Sequence, residues 1–258
     1  MVLDASTVAL VLFVLLAFTV EAALGFGATL VTVTLGSLVM PVDQVLPAFV
    51  PLNVLLSLRL VSANRGHVRL DLLLRRILPL MVVGLPIGIF AFAALDAHLL
   101  VRLFGVFVIA LAALELWRAY RDHRARSGLG PERPTLAADR PFGAFEAVVL
   151  VLGGIVHGAF GTGGPMVVYV GGRLLPDKAE FRATLSALWL LLNVVLVTSH
   201  VVGHRFTSDT ALLTLVLAPA LVLGLIAGDF LHHRIPADRF KRVVFAMLAV
   251  AGLVLALR

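Results

Sequence analysis

Residues 6–40 form one apolar run in which Glu21 is the only charged side chain, and the run is too long for a single ordinary membrane crossing. A crossing helix needs about 20 residues. Gly25, Phe26 and Gly27 divide the run into a piece of 19 residues and a shorter one of 13. A second long apolar run, from 144 to 175, is broken in the same manner at Gly161, Thr162, Gly163 and Gly164. Backbone freed from helical hydrogen bonds at membrane depth is tolerated only against protein or a water-filled cavity. These two breaks therefore constrain the fold, and they are where a solute is to be sought.

The chain around them has the composition of a multi-pass membrane protein. It is 60% hydrophobic and 14% charged, where a soluble domain is about half apolar and about a quarter charged. Cysteine is absent, which excludes disulfides and thiolate metal sites. The net charge of +6 reads as arginine placed in loops to fix orientation, with no nucleic acid as partner. The N-terminal segment has Asp4 as its only charge before Glu21 and no convincing cleavage site, so it is expected to be retained as a membrane segment.

Further apolar segments follow at 45–62, 77–95 and 99–117. Residues 118–140 are rich in arginine, glycine and proline and read as a polar linker. After it come the second broken run and segments at 183–202, 210–231 and 240–257. The expected organisation is a first membrane repeat at 1–117, a cytoplasmic linker at 118–140 and a second repeat at 141–258. The repeat is visible in spacing. Pro79, Gly84 and Gly88 recur as Pro219, Gly224 and Gly228. Gly25 and Gly27 recur as Gly161 and Gly163, and Gly66 recurs as Gly203.

Charge separates two orientations. If each broken run crosses once, the halves are parallel, and the better assignment leaves 13 of 21 Lys and Arg inside. If each is a re-entrant hairpin, the second half is inverted and 18 lie inside, leaving only Arg102, Arg205 and Arg258 outside. Basic residues near span ends favour the cytoplasm, and so the inverted arrangement is preferred. The expected fold is an all-α polytopic membrane protein with two pseudo-symmetric halves, each a broken, re-entrant hairpin plus three transmembrane helices. Inverted repeats meeting at broken helices near the midplane are a recurring transporter design.

At the breaks and the repeated proline–glycine segments, the sequence resembles the TauE/SafE sulfite-exporter family of membrane permeases. The resemblance rests on Gly25-Phe26-Gly27, Gly161-Thr162-Gly163-Gly164-Pro165, the loop Asn64-Arg65-Gly66-His67-Val68, and Pro219 through Gly228. It covers both halves outside the linker. It implies transport of a small anion, often sulfite, a sulfonate or another sulfur compound, across a bacterial inner membrane. It fixes neither the substrate nor the direction.

The residues themselves also point to an anion. A helix restarting after Gly27 or Gly164 offers unpaired N–H groups and about half a positive charge. Glycine lets a solute approach that backbone, and Thr162 adds a hydroxyl. Gly25, Phe26, Gly27, Gly161, Thr162, Gly163 and Gly164 are thus candidate substrate-binding residues, against the plainer reading of tight helix crossing. Glu21 and His157 hold matching positions four residues before the paired glycines and are candidates for proton coupling. The competing readings are a paired structural carboxylate and a structural hydrogen-bonding histidine. Asn53 and Asn193, with Ser57, Thr184 and Ser186 nearby, either line a route or bond helix to helix. Arg59 is placed to snorkel, and Asp229 to pair with His232, His233 or Arg234.

No nucleophile elbow, phosphate loop or dinucleotide fingerprint occurs, so no enzyme activity and no cofactor are expected. The rival classes are a membrane-embedded metal-dependent hydrolase, for which His200 and His204 at i, i+4 are the feature, and a non-transporting scaffold. The expected partners are a small anionic solute and the lipid bilayer. Homo-oligomerisation is left open.

Overall fold

The computed structural model describes residues 4–24, 27–126, 142–175, 177–234 and 237–257. Every regular element among them is a helix. Both apolar runs break where glycine interrupts them. Helix α1 (Ala5–Leu24) gives way to α2 (Ala28–Gly36), and α7 (Ala144–Phe160) to α8 (Gly164–Leu174). At 20 residues α1 is long enough to cross a membrane by itself, while α2 and α8 have only 9 and 11. Gly25 and Phe26 lie outside the described residues.

Helix α3 (Val42–Ala63) continues through Pro47 and Pro51. The Thr214 hydroxyl donates towards the Ala48 carbonyl at 2.9 Å, tying this stretch to α10. A 3-10 turn (Arg65–His67) leads to the single turn α4 (Leu70–Leu72), a π-helical turn (Leu73–Ile77) and α5 (Leu78–Ala94). Helix α6 (Ala97–Arg126) extends beyond the boundary expected at 117. Its alanines and arginines are good helix formers, so 118–126 is a helical continuation of that span. The remainder of the expected linker lies outside the described residues. The second half continues with α9 (Lys178–Val202), α10 (Ser208–Arg234) and α11 (Ala237–Leu257). Among the described residues, six helical stretches are long and apolar enough to cross a membrane.

The halves pack reciprocally. The first broken helix, α1, lies on α10, while its counterpart α7 lies on α5; α3 packs on α9, and α6 on α11. Direction follows from which residues meet. Gly105 near the start of α6 faces Gly252 and Ala256 near the end of α11, and Gly252 also meets Val108 and Ile109, so this pair is antiparallel. Just past the end of α3, the Arg69 N–H donates to Thr184 Oγ1 near the start of α9 at 2.9 Å, so α3 and α9 are antiparallel too. In contrast α5 and α7 run parallel: Gly84 sits on Val151 and Ile155, Gly88 on Ile155 and Ala159. That crossing is backbone against backbone. A Cβ at Gly84, Gly88, Gly154 or Gly158 would strike main-chain atoms of the opposite helix, the small-residue packing by which helices associate closely in lipid.

Two apolar clusters flank the middle of the bundle. One contains the Phe18–Phe49 ring stack (centroids 5.2 Å apart) and the Phe104–Phe160 pair (4.6 Å). The other gathers Ile77, Met81, Leu150, Leu188 and Leu192.

Candidate functional site

The two breaks meet. A cavity of about 40 Å³ lies between them, lined from the first half by Glu21, Gly27, Thr29, Leu30, Asn53 and Ser57. From the second half come His157, Gly161, Thr162, Gly163, Gly164, Pro165, Trp189 and Asn193. Such a volume holds roughly three waters, given about 10–15 Å³ for each. Of the eleven residues singled out from sequence, nine are described, and all nine line this one cavity. Gly25 and Phe26 are the other two.

The first break is closed by its own carboxylate. Gly27, at φ 112, is the N-cap of α2 in a left-handed conformation that favours glycine. The chain direction it sets turns the first N–H of α2 back towards α1. Glu21 meets it there: the Ala28 N–H donates to Glu21 Oε2 at 2.8 Å, seven residues along the chain. A carboxylate at a helix N-terminus is favoured by the dipole and by the unpaired N–H groups. Asn53, buried on α3, donates through Nδ2 to Thr29 Oγ1 at 2.6 Å, one turn into α2. Its Oδ1 has no partner among the described residues.

The second break is built differently. Gly161, at φ 65, ends α7 and returns its N–H to the His157 carbonyl at 2.7 Å. Helix α8 then starts at Gly164 with no side-chain cap on its N-terminus. Pro165 in the first turn lacks an N–H. Among the described residues, no atom outside its own helix and chain neighbours lies within 4 Å of where a Gly164 side chain would begin, so this glycine faces open space. Gly163, by comparison, is pressed against the Gly153 carbonyl. The His157 ring stacks on Trp189, with centroids 5.4 Å apart and planes at 16°. Asn193, one helical turn beyond Trp189, lines the same cavity as His157. Both ring nitrogens of His157 and Oδ1 of Asn193 have no partner among the described residues.

Buried polar groups without partners are costly. Here Asn53, His157 and Asn193, each 5% exposed or less, bring several to one cavity. Swapping the amide oxygen and nitrogen of either asparagine, an assignment made from the hydrogen-bond network, would turn its NH2 into the cavity. Together with the open end of α8, the arrangement can surround a small polar solute with donors.

Four lining residues, Thr29, Leu30, Pro165 and Trp189, were not among the sequence candidates. Trp189 lies one helical turn before Asn193 and Thr29 two residues beyond Gly27, so both signals were positional; Pro165 directly follows the second break. His200 is elsewhere. It is buried edge-on to Phe92 (5.5 Å) near the end of α9, whereas His204 is exposed with φ 55. The side chains of His232 and His233 lie outside the described residues.

A family model described as "Sulfite exporter TauE/SafE" matches residues 10–255. The chain belongs to the TauE/SafE family. It is similar to the "Probable inner membrane transporter protein TsaS" of Comamonas testosteroni, at 26% identity over 178 residues, covering 69% of this chain and 68% of the relative. No solved structure matches significantly. Family membership and the all-helical, multi-span build make this TauE/SafE member a membrane permease.

Proposed function

We propose that the protein is a secondary carrier of the bacterial inner membrane. Its solute is a small oxyanion, sulfite, a sulfonate or another organosulfur compound, bound between the two helix breaks. The observation that carries this reading is the meeting of both breaks, with Asn53, His157 and Asn193, at one small cavity. An oxyanion suits the uncapped N-terminus of α8, where N–H groups and the helix dipole favour negative charge. The α2 N-terminus is already held by Glu21, so the seat is unequal: the solute lies on the α8 side and Glu21 opposes it.

That opposition supplies coupling. An ionised Glu21 repels an incoming anion across a small cavity where screening by water is weak. A proton taken up by Glu21 removes the repulsion, so proton and anion bind together. Alternating access follows by moving the halves about the fixed site. Antiparallel pairing of α3 with α9, and of α6 with α11, supports inverted repeats, because helices related by parallel duplication would run the same way.

The test is uptake into proteoliposomes of a panel: sulfite, thiosulfate, sulfoacetate, taurine and simple carboxylates, with and without a pH gradient. Saturable movement of at least one sulfur oxyanion, enhanced by the gradient, is expected. No movement of any of them would overturn the reading. For orientation, a reporter fused after Arg258 is expected in the periplasm, and a cytoplasmic reporter would defeat inversion.

A further inference from the structure

A second and larger cavity, of about 320 Å³, opens between the same two helices that carry the asparagines, lined by Leu60, Asn64, Ala179, Arg182 and Ser186. Its place follows from helical spacing. Along α3, Asn53 and Ser57 reach the central cavity, and Leu60 and Asn64 come one and two turns later. Along the antiparallel α9, Asn193 and Trp189 line the centre, and Ser186 and Arg182 come one and two turns earlier. The larger cavity therefore lies one to two helical turns from the central one, between the same two helices. On the opposite side, Leu46 and Leu196 lie against Gly161 within the apolar cluster that holds Phe49 and Phe160.

The charge in this space is unbalanced. Both neighbouring carboxylates are engaged: Glu180 with Arg69 at 3.2 Å, and Asp177 with the N–H groups of Ala179 and Glu180, each at 2.9 Å. Arg182 is exposed, and no ion pair to it occurs among the described residues. Asn64 donates one amide hydrogen to the Leu60 carbonyl, leaving the other for the cavity. The Ser186 hydroxyl is spent on the Arg182 carbonyl. The basic turn Arg65–His67 packs against α9 at the same end.

We propose that this space is a vestibule holding a second anion site, in which the Arg182 guanidinium and the Asn64 amide receive a small oxyanion on its way to or from the central cavity. Arginine presents paired N–H donors that match an oxyanion's geometry, and a cleft lined by one sign of charge concentrates the opposite ion. The site's role in transport, and its cytoplasmic orientation, rest on the carrier reading above. The vestibule then faces the cytoplasm, with Leu46 and Leu196 on the other side of the central cavity.

The chain has no cysteine, so Ser186→Cys supplies a single reporter thiol, with Ala179→Cys as the alternative if the first fails to fold. Inside-out vesicles are treated with two membrane-impermeant thiosulfonates of similar size, one carrying a sulfonate and one a quaternary ammonium. Relative to a free thiol, the anionic reagent is expected to react about tenfold faster, and Arg182→Gln to bring the ratio near one. An unreactive thiol in both reporters, or a ratio that Arg182→Gln leaves unchanged, would overturn the site. In sulfite uptake, Arg182→Gln is expected to raise KM about tenfold with Vmax within twofold, and Arg182→Lys to recover most of that; an unchanged KM would again overturn it. Should the wild-type protein move no sulfur oxyanion, the carrier reading fails, while the reagent ratio still decides the vestibule.

Discussion

The two helix breaks occupy matching places in the two halves but are built and closed differently: Gly27, the N-cap of α2, is left-handed at φ 112, whereas Gly163, the N-cap of α8, is at φ -93. At the first, Glu21 reaches across the gap and holds the Ala28 N–H, so the helix terminus is already neutralised. At the second, α8 begins without a side-chain cap and Gly164 faces open space. The side chain matching Glu21 is His157, which stacks on Trp189 instead of capping anything. On the proposed reading, one half carries a tethered carboxylate and the other an uncapped helix end that would receive the anion. A carrier gains from such inequality. Under the proposed mechanism, two uncapped helix ends would hold an anion tightly in every state, whereas one carboxylate competing with the solute would make binding depend on a proton.

Glu21→Gln probes the inequality most severely. The amide oxygen still accepts from Ala28, so the break keeps its form, but the charge is gone. Accumulation of sulfite driven by a pH gradient is expected to disappear in proteoliposomes, with sulfite exchange at zero gradient persisting. Gradient dependence equal to wild type would remove Glu21 from coupling. Asn193→Ala comes next. Hydrogen bonds to a charged partner contribute about 1.5–3 kcal/mol, so sulfite KM is expected to rise roughly 10- to 100-fold, at about 1.4 kcal/mol per decade. Asn53→Ala is expected to do less, because Asn53 is partly committed to Thr29; equal effects would argue for a symmetric seat.

The smallest effect concerns the frame. Gly161→Ala places a side chain at φ 65, with Cβ 3.1 Å from both Leu46 Cδ1 and Thr29 Cγ2. A left-handed alanine costs about 1–2 kcal/mol, so Tm is expected to fall by roughly 2–8 °C. An unchanged Tm would mean that the break relaxes without its glycine.

The frame was legible in the sequence because glycine inside an apolar run has few other uses. Gly27 and Gly161 mark the ends of α1 and α7, and the restart after residue 140 marks the second half. For Asn53 and Asn193, one segment after each break, lining a route and bonding helix to helix were both open, and only the structure brings the two to one cavity. The chemistry of the first break was less accessible. That Glu21 caps α2 depends on how the chain turns at Gly27, which no periodicity reports. The sequence ranked Gly84 and Gly88 with the other repeated glycines, yet they serve the α5–α7 crossing and not the cavity. Trp189 was hidden among the many large apolar residues of α9, and its role shows only once His157 lies against it. Arg182 read as one more cytoplasmic charge until the engagement of Glu180 and Asp177 left it facing an open space.

The central claim is that the oxyanion sits at the open end of α8, and Gly164→Ala tests it most directly. Among the described residues, no neighbour lies within 4 Å of the added methyl, and the same holds for Gly172 in the same helix, outside the central cavity, which serves as the control. With both variants folded and Tm unchanged, sulfite uptake by Gly164→Ala is expected to fall about tenfold, because the methyl takes roughly one water's share of a small cavity. Gly172→Ala is expected to match wild type. Wild-type uptake by Gly164→Ala would contradict the account.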